Sequence, residues 1–127
     1  MGEMEILQVE KTDYLIKKLH LDEEIERLQK ASAVLWDAEY RIRCDYNQVT
    51  DAYDVIWEWN GNCYHGFMEL YQGTYTDAYL AYSSSLSEKA EAVDDLIRQK
   101  ENERDLAEEM AQFIQLKIDR LLEEEYR

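Results

Sequence analysis

Residues 58–63 read EWNGNC, and Asn60-Gly61 inside this stretch is the one plain turn signal in a chain that otherwise reads as helix from end to end. Glycine reaches the backbone angles that a sharp reversal needs at no steric cost, and asparagine tolerates them better than most residues. On both sides of the turn the sequence permits long helices. The chain of 127 residues has no proline and only four glycines, Gly2, Gly61, Gly66 and Gly73. Proline removes an amide donor and clashes with the preceding turn, so its absence leaves helices free to run on.

Upstream of the turn, Leu7, Tyr14, Leu21, Leu28, Leu35, Ile42, Val49 and Ile56 recur every seven residues without exception. A strict seven-residue apolar repeat marks a helix face that packs along another helix. A companion row is expected at Ala31, Ala38, Ala52 and Trp59, where alanine would let a neighbouring backbone come close. Downstream, Tyr79, Leu86, Val93, Ala107, Ile114 and Leu121 form a second heptad row, with Lys100 as its exception. Reflection about Asn60-Gly61 sets Leu35 opposite Leu86, Leu28 opposite Val93, Ile42 opposite Tyr79 and Leu7 opposite Ile114. The two rows coincide, which predicts an all-α fold. The expected domain is a single long antiparallel two-helix hairpin of coiled-coil type, with arm one over about 4–58, a corner over 59–62 centred on Trp59-Asn60-Gly61, and arm two over about 63–125. Thr12-Asp13 offers a later helix start. Ser85 and Glu88 form a capping-box pattern that marks either a break or a polar turn within one helix. The continuous helix is the expected outcome.

Arm two carries more apolar residues than one seam can cover. Leu96, Ile97, Met110, Phe113, Leu116, Ile118 and Leu122 all lie outside the heptad row, and exposed apolar stripes of this size belong to interfaces. The expectation is a homodimer or a complex with another helical protein, unless a short third helix from the N-terminal segment covers part of the stripe.

Charge narrows the choice of partner. The net charge of −15 repels nucleic acid and anionic membrane, so direct binding to either is not expected. Between Arg43 and Lys89 lie 45 residues without a single Lys or Arg. They include Tyr46, Tyr53, Tyr64, Tyr71, Tyr75, Tyr79 and Tyr82, together with Trp57 and Trp59. This acidic, aromatic middle is either a solvated surface over an aromatic core or a docking surface with Trp57, Tyr64 and Tyr71 as anchors. No apolar run approaches the ~20 residues of a membrane span. The start, MGEMEILQVE, lacks the basic and apolar regions of a secretory signal, and Ile6 stands where a myristoylation site needs Ser or Thr. The expected location is the cytoplasm, with any export proceeding without a cleaved signal.

The reactive residues are scattered. In a hairpin Cys44 lies roughly 24 Å along arm one from the corner while Cys63 sits beside it, so the two cannot form a disulfide within one chain. Two free thiols fit a reducing compartment. His20 and His65 are too far apart to share a metal. His65 and Glu69 stand at i, i+4 near Cys63, but no metal-ligand pattern accompanies them. There is no phosphate-binding glycine loop, no nucleophile elbow and no Cys-His base pair. Neither an enzyme nor a metal or cofactor site is expected.

A heptad arm ending in Trp59-Asn60-Gly61, followed by a second arm with Phe67 soon after the turn, resembles the W-x-G family of type VII secretion. That resemblance implies a small, acidic, signal-less helical hairpin that pairs with itself or with another hairpin, and that is exported or escorts larger substrates. The extended arms look more like the helical partners encoded beside LXG-domain toxins in Gram-positive bacteria, which bind the toxin's helical N-terminal region and help target it. As architecture the resemblance covers most of the chain; as identities it covers Trp59, Gly61 and Phe67. One family feature is missing. The family's export signal is Tyr-x-x-x-Asp/Glu near the end of the second arm, and none of the ten tyrosines here has Asp or Glu four residues on. Two other readings use the same residues. An acidic, Tyr-rich helical protein could mimic nucleic acid and inhibit a nuclease or another DNA- or RNA-binding protein, and a generic coiled-coil subunit needs no motif at all.

Overall fold

The computed structural model describes the backbone of residues 2–60 and 65–126 and the side chains of residues 2–48, 73 and 76–126. Two α-helices account for nearly all of it, α1 over Glu3–Asn60 and α2 over His65–Glu125. They form an all-α helical hairpin with no strand among the described residues. α1 starts at Glu3 rather than after Thr12-Asp13, so the N-terminal segment is the first turns of α1 and not a separate third helix. Glu3 and Glu5 stand in that first turn, where negative charge complements the helix dipole. α2 runs unbroken through Ser83-Ser84-Ser85, which settles the capping-box pattern as a polar turn inside one helix.

α1 ends slightly later than the sequence predicts: it continues through Trp59 and Asn60, so these belong to its last turn, and α2 begins at His65. Gly61 and Tyr64 lie outside the described residues. The midpoint between the helix ends sits near 62–63 rather than at Asn60-Gly61, and some of the long polar side chains pair about that centre while Leu7 still meets Ile114 and Ile42 still meets Tyr79. Lys11, Lys18 and Asp22 lie as far before residue 63 as their partners Gln115, Glu108 and Arg104 lie after it.

The hairpin divides into two compact units, one made of Met1–Lys30 with Asp94–Arg127 and the other of Ala31–Val93. In the first, the inward positions of α1 are Met4, Leu7, Lys11, Tyr14, Lys18, Leu21, Ile25 and Leu28. Those of α2 are Ile97, Lys100, Arg104, Ala107, Ala111, Ile114, Ile118 and Leu121. Both sets alternate steps of three and four, the spacing of a coiled-coil seam. Leu7 is buried against Ile114, as the sequence predicts, and also against Ile118, with Met4, Tyr14 and Leu121 around them. In the second unit the inward positions are Ser32, Leu35, Glu39, Ile42 and Tyr46 on α1 and Thr76, Tyr79, Ser83, Leu86, Ala90 and Val93 on α2. Ile42 and Tyr79 line one groove, and the rings of Tyr46 and Tyr79 meet at 5.8 Å.

The companion row of α1 is not the expected one. Ala31 is exposed and Ala38 only half-buried, while Ala52 and Trp59 have side chains outside the described set. The second inward row lies on the other flank of the Leu7–Ile42 row, at Met4, Lys11, Lys18 and Ile25 in one unit and at Ser32, Glu39 and Tyr46 in the other. Close approach comes from α2 instead, through Ala90 (0% exposed), Ala107 (3%) and Ala111 (4%). Small side chains on one helix suffice to bring two backbones together. The large residues on α1 then fill the space beside them. Ile97 and Ile118, expected outside the seam, are buried in it for the same reason: they share α2's second inward row with Ala90 and Ala111.

Candidate partner-binding surface

The seam is unusually polar. Lys11, Lys18, Lys100 and Arg104 occupy inward heptad positions, lay their aliphatic stems along the apolar contact and carry their charges to its edge. There each meets the opposite helix. Lys11 donates to Gln115, Lys18 lies 3.5 Å from Glu108, Lys100 lies 3.1 Å from Glu24, and Arg104 lies 3.5 Å from Asp22. The hydrogen bond to Glu24, reinforced by the charges of Glu24 and Glu103, holds the Lys100 ammonium above the ordinary lysine range. In the other unit Glu39 is buried, and one of its oxygens accepts from Arg43 Nε at 2.7 Å and Ser83 Oγ at 3.1 Å. These cross-helix pairs make the seam specific in register but thin in apolar area.

A thin seam leaves apolar side chains outside it. On one flank of the first unit, Tyr14, Lys17, Glu103, Leu106, Ala107 and Met110 line an open groove of about 290 Å³. Phe113 stands on the same side of α2, 53% exposed, with Lys117 Nζ 4.7 Å from its ring centre. Further along, Leu96 and Leu28 line another groove with Glu24, Arg27 and Lys100. The opposite flank carries Leu15 and Leu122, which line a groove with Gln8, Thr12 and Gln115, and Leu19 follows one turn after Leu15. In the second unit Trp36, Tyr40, Leu80 and Tyr82 all reach the surface. Among the described residues of that unit, the aromatic side chains sit mainly on the outside rather than in a core.

The candidate residues read from the sequence are placed as follows. Leu96 (38% exposed), Phe113 (53%) and Leu116 (57%) are at the surface, and Met110 is half-buried at the groove. They do not make one patch. Leu96, Met110 and Phe113 share a flank, whereas Leu116 sits midway between the buried Ile114 and Ile118 and so faces directly away from the seam. The helix backbone carries Trp57, Trp59, Phe67 and Tyr71, but their side chains lie outside the described set. Leu106, 59% exposed, was missed because it falls outside the heptad row of α2 and was not counted with the surplus apolar residues. Its spacing of four from Met110 and seven from Phe113 would have found it.

Among the described residues, no group of three His, Cys, Asp or Glu side chains converges as a metal site would require. Cys44 is a half-buried free thiol, and its hydrogen bond with Tyr40 one turn earlier holds that phenol above its ordinary range. No described helix is long and apolar enough to cross a membrane. Comparison with protein-family models, curated proteins and solved structures returned no match.

Proposed function

We propose that this chain is a non-enzymatic helical partner that binds the helical region of a type VII secretion substrate, such as an LXG-type toxin, through its exposed apolar helix faces. The observation that carries the reading is the stock of apolar side chains left outside a seam that charged and polar positions interrupt. A hairpin with Leu15, Leu19, Leu96, Leu106, Phe113, Leu116 and Leu122 at its surface has helix faces ready for further helices. The resemblance of Trp59-Asn60-Gly61 and Phe67 to the W-x-G corner supplies the secretion context. The missing export tyrosine then belongs to the partner, and the chain acts in the cytoplasm or leaves the cell in its partner's company.

The mimic reading rests on a different observation. Tyr82 is exposed within the stretch without basic residues. The two readings separate by salt. An apolar helix interface persists as ionic strength rises, whereas capture of a nucleic-acid-binding protein by carboxylates weakens steeply. The test is affinity capture from the native host with mass spectrometry, repeated at high salt and with Leu15→Glu and Leu116→Glu variants. Recovery of a large protein with a helical N-terminal region, retained in salt and lost in a variant, supports the secretion reading. Recovery of a nuclease that salt releases overturns it.

A further inference from the structure

The flank of α2 that holds the Leu106–Met110 groove has an internal symmetry. Glu103, Leu106, Met110, Phe113, Lys117 and Arg120 follow one another by steps of three, four, three, four and three, which is a second heptad seam beside the one that faces α1. The row is placed on one side by the groove that Glu103, Leu106 and Met110 share and by the Lys117 ammonium over the Phe113 ring. All six side chains are exposed or half-buried. The row begins with an acid, passes through three apolar side chains and ends with two bases.

Such a row is complementary to itself when reversed. A two-fold contact brings residue i to residue j of the other copy and j to i. With two α2 helices antiparallel and their seams in mixed layers, Met110 meets Phe113 of the second copy, Leu106 meets the stem of Lys117, and Glu103 meets Arg120, each twice. Thioether against aromatic ring is a favourable contact, and acid meets base at both ends. A parallel pairing would set Glu103 against Glu103 and Arg120 against Arg120. An unrelated helix would find this order of charges only by matching it.

We propose that the Glu103–Arg120 face of α2 is a self-association seam, occupied by a second copy of this chain running antiparallel. The proposal does not depend on the secretion reading, because the flank bearing Leu15, Leu19 and Leu122 stays open to a different partner. Sedimentation velocity on the full chain across a concentration series, at physiological ionic strength, tests it with charge exchanges at the two ends of the row. Both positions are exposed, and circular dichroism verifies that each variant remains helical. The unchanged protein should show a monomer–dimer equilibrium. Glu103→Arg and Arg120→Glu should each weaken dimerisation by about tenfold or more, since each puts like charges opposite one another. The double variant, and a one-to-one mixture of the two single variants, should both recover it. A monomer at every concentration overturns the proposal and leaves the face to a heterologous helix. A dimer indifferent to both single changes also overturns it, and points instead to an exchange of arms between copies.

Discussion

At the scale of single residues, the chain places charged groups where a coiled coil normally has apolar ones. Glu39 shows why they are tolerated. Its carboxylate is buried at a seam position, and the arginine one turn later and a serine across the seam supply its hydrogen bonds. Removing one partner leaves a buried acceptor short, whereas removing the carboxylate leaves only the half-buried Ser83 hydroxyl and the exposed Arg43 guanidinium, which water can satisfy. Ser83→Ala should therefore cost about 1 kcal/mol in urea unfolding. Glu39→Leu should cost nothing or stabilise, because the seam gains an apolar side chain. Lys100 makes a prediction in pH. Its proton is held more tightly in the folded chain than in the unfolded one, through Glu24 first. The contribution is whole below the ordinary lysine pKa of about 10.4 and is lost as pH climbs through the raised folded value. The melting temperature should fall on going from pH 10 to 12, and Lys100→Met should fall less over the same range, after allowance for tyrosine ionisation measured by absorbance.

At the scale of the helix, Gly73 is the clearest test. It lies inside α2, and a Cβ built there meets nothing within 4 Å. Glycine inside a helix costs up to about 1 kcal/mol relative to alanine, mostly through the freedom it keeps in the unfolded chain. Gly73→Ala should raise stability by roughly 0.5–1 kcal/mol, read as a shift in thermal or urea midpoint. A loss of stability would mean that position 73 is in contact with something when the protein is folded in solution. Helix ends matter as well. α2 finishes at Glu123-Glu124-Glu125 with no basic residue in its last turn, so negative charge gathers at the negative end of the dipole. Glu124→Lys should recover a few tenths of a kcal/mol at low ionic strength, and salt should erase the gain.

At the scale of the molecule, close contact between the arms depends on the alanines of α2. Ala107 and Ala111 are almost wholly buried against α1 in the unit that also holds the Leu7–Ile114–Ile118 cluster. A larger side chain there has no room unless the helices separate. Ala111→Leu should lower stability by about 1–3 kcal/mol in urea unfolding, although leucine is the more apolar residue and a good helix former. An exposed alanine, Ala31, is the control and should accept leucine almost without effect. The contrast separates an alanine that spaces two helices from one that merely suits a helix.

The sequence by itself determined that the chain is two helices and that they run antiparallel. Freedom from proline sets their length, Asn60-Gly61 marks the reversal, and the sevenfold spacing of Leu7 through Ile42 names one face of the seam. These are local properties, decided within a few turns of one strand of chain. A heptad row has a neighbour on either side, however, and only the position of the opposite helix chooses between them. The tertiary structure chose the flank of Lys11, Lys18, Ser32 and Glu39 over that of Ala31 and Ala38, because the alanines of α2 and the cross-helix pairs to Glu108, Arg104 and Ser83 are all satisfied in that arrangement. The same choice buried Ile97 and Ile118 and left Leu96, Leu106 and Phe113 outside. Which apolar residues remain for a partner is therefore a property of the packed pair, since burial is settled by what stands opposite and not by the residue's own hydrophobicity.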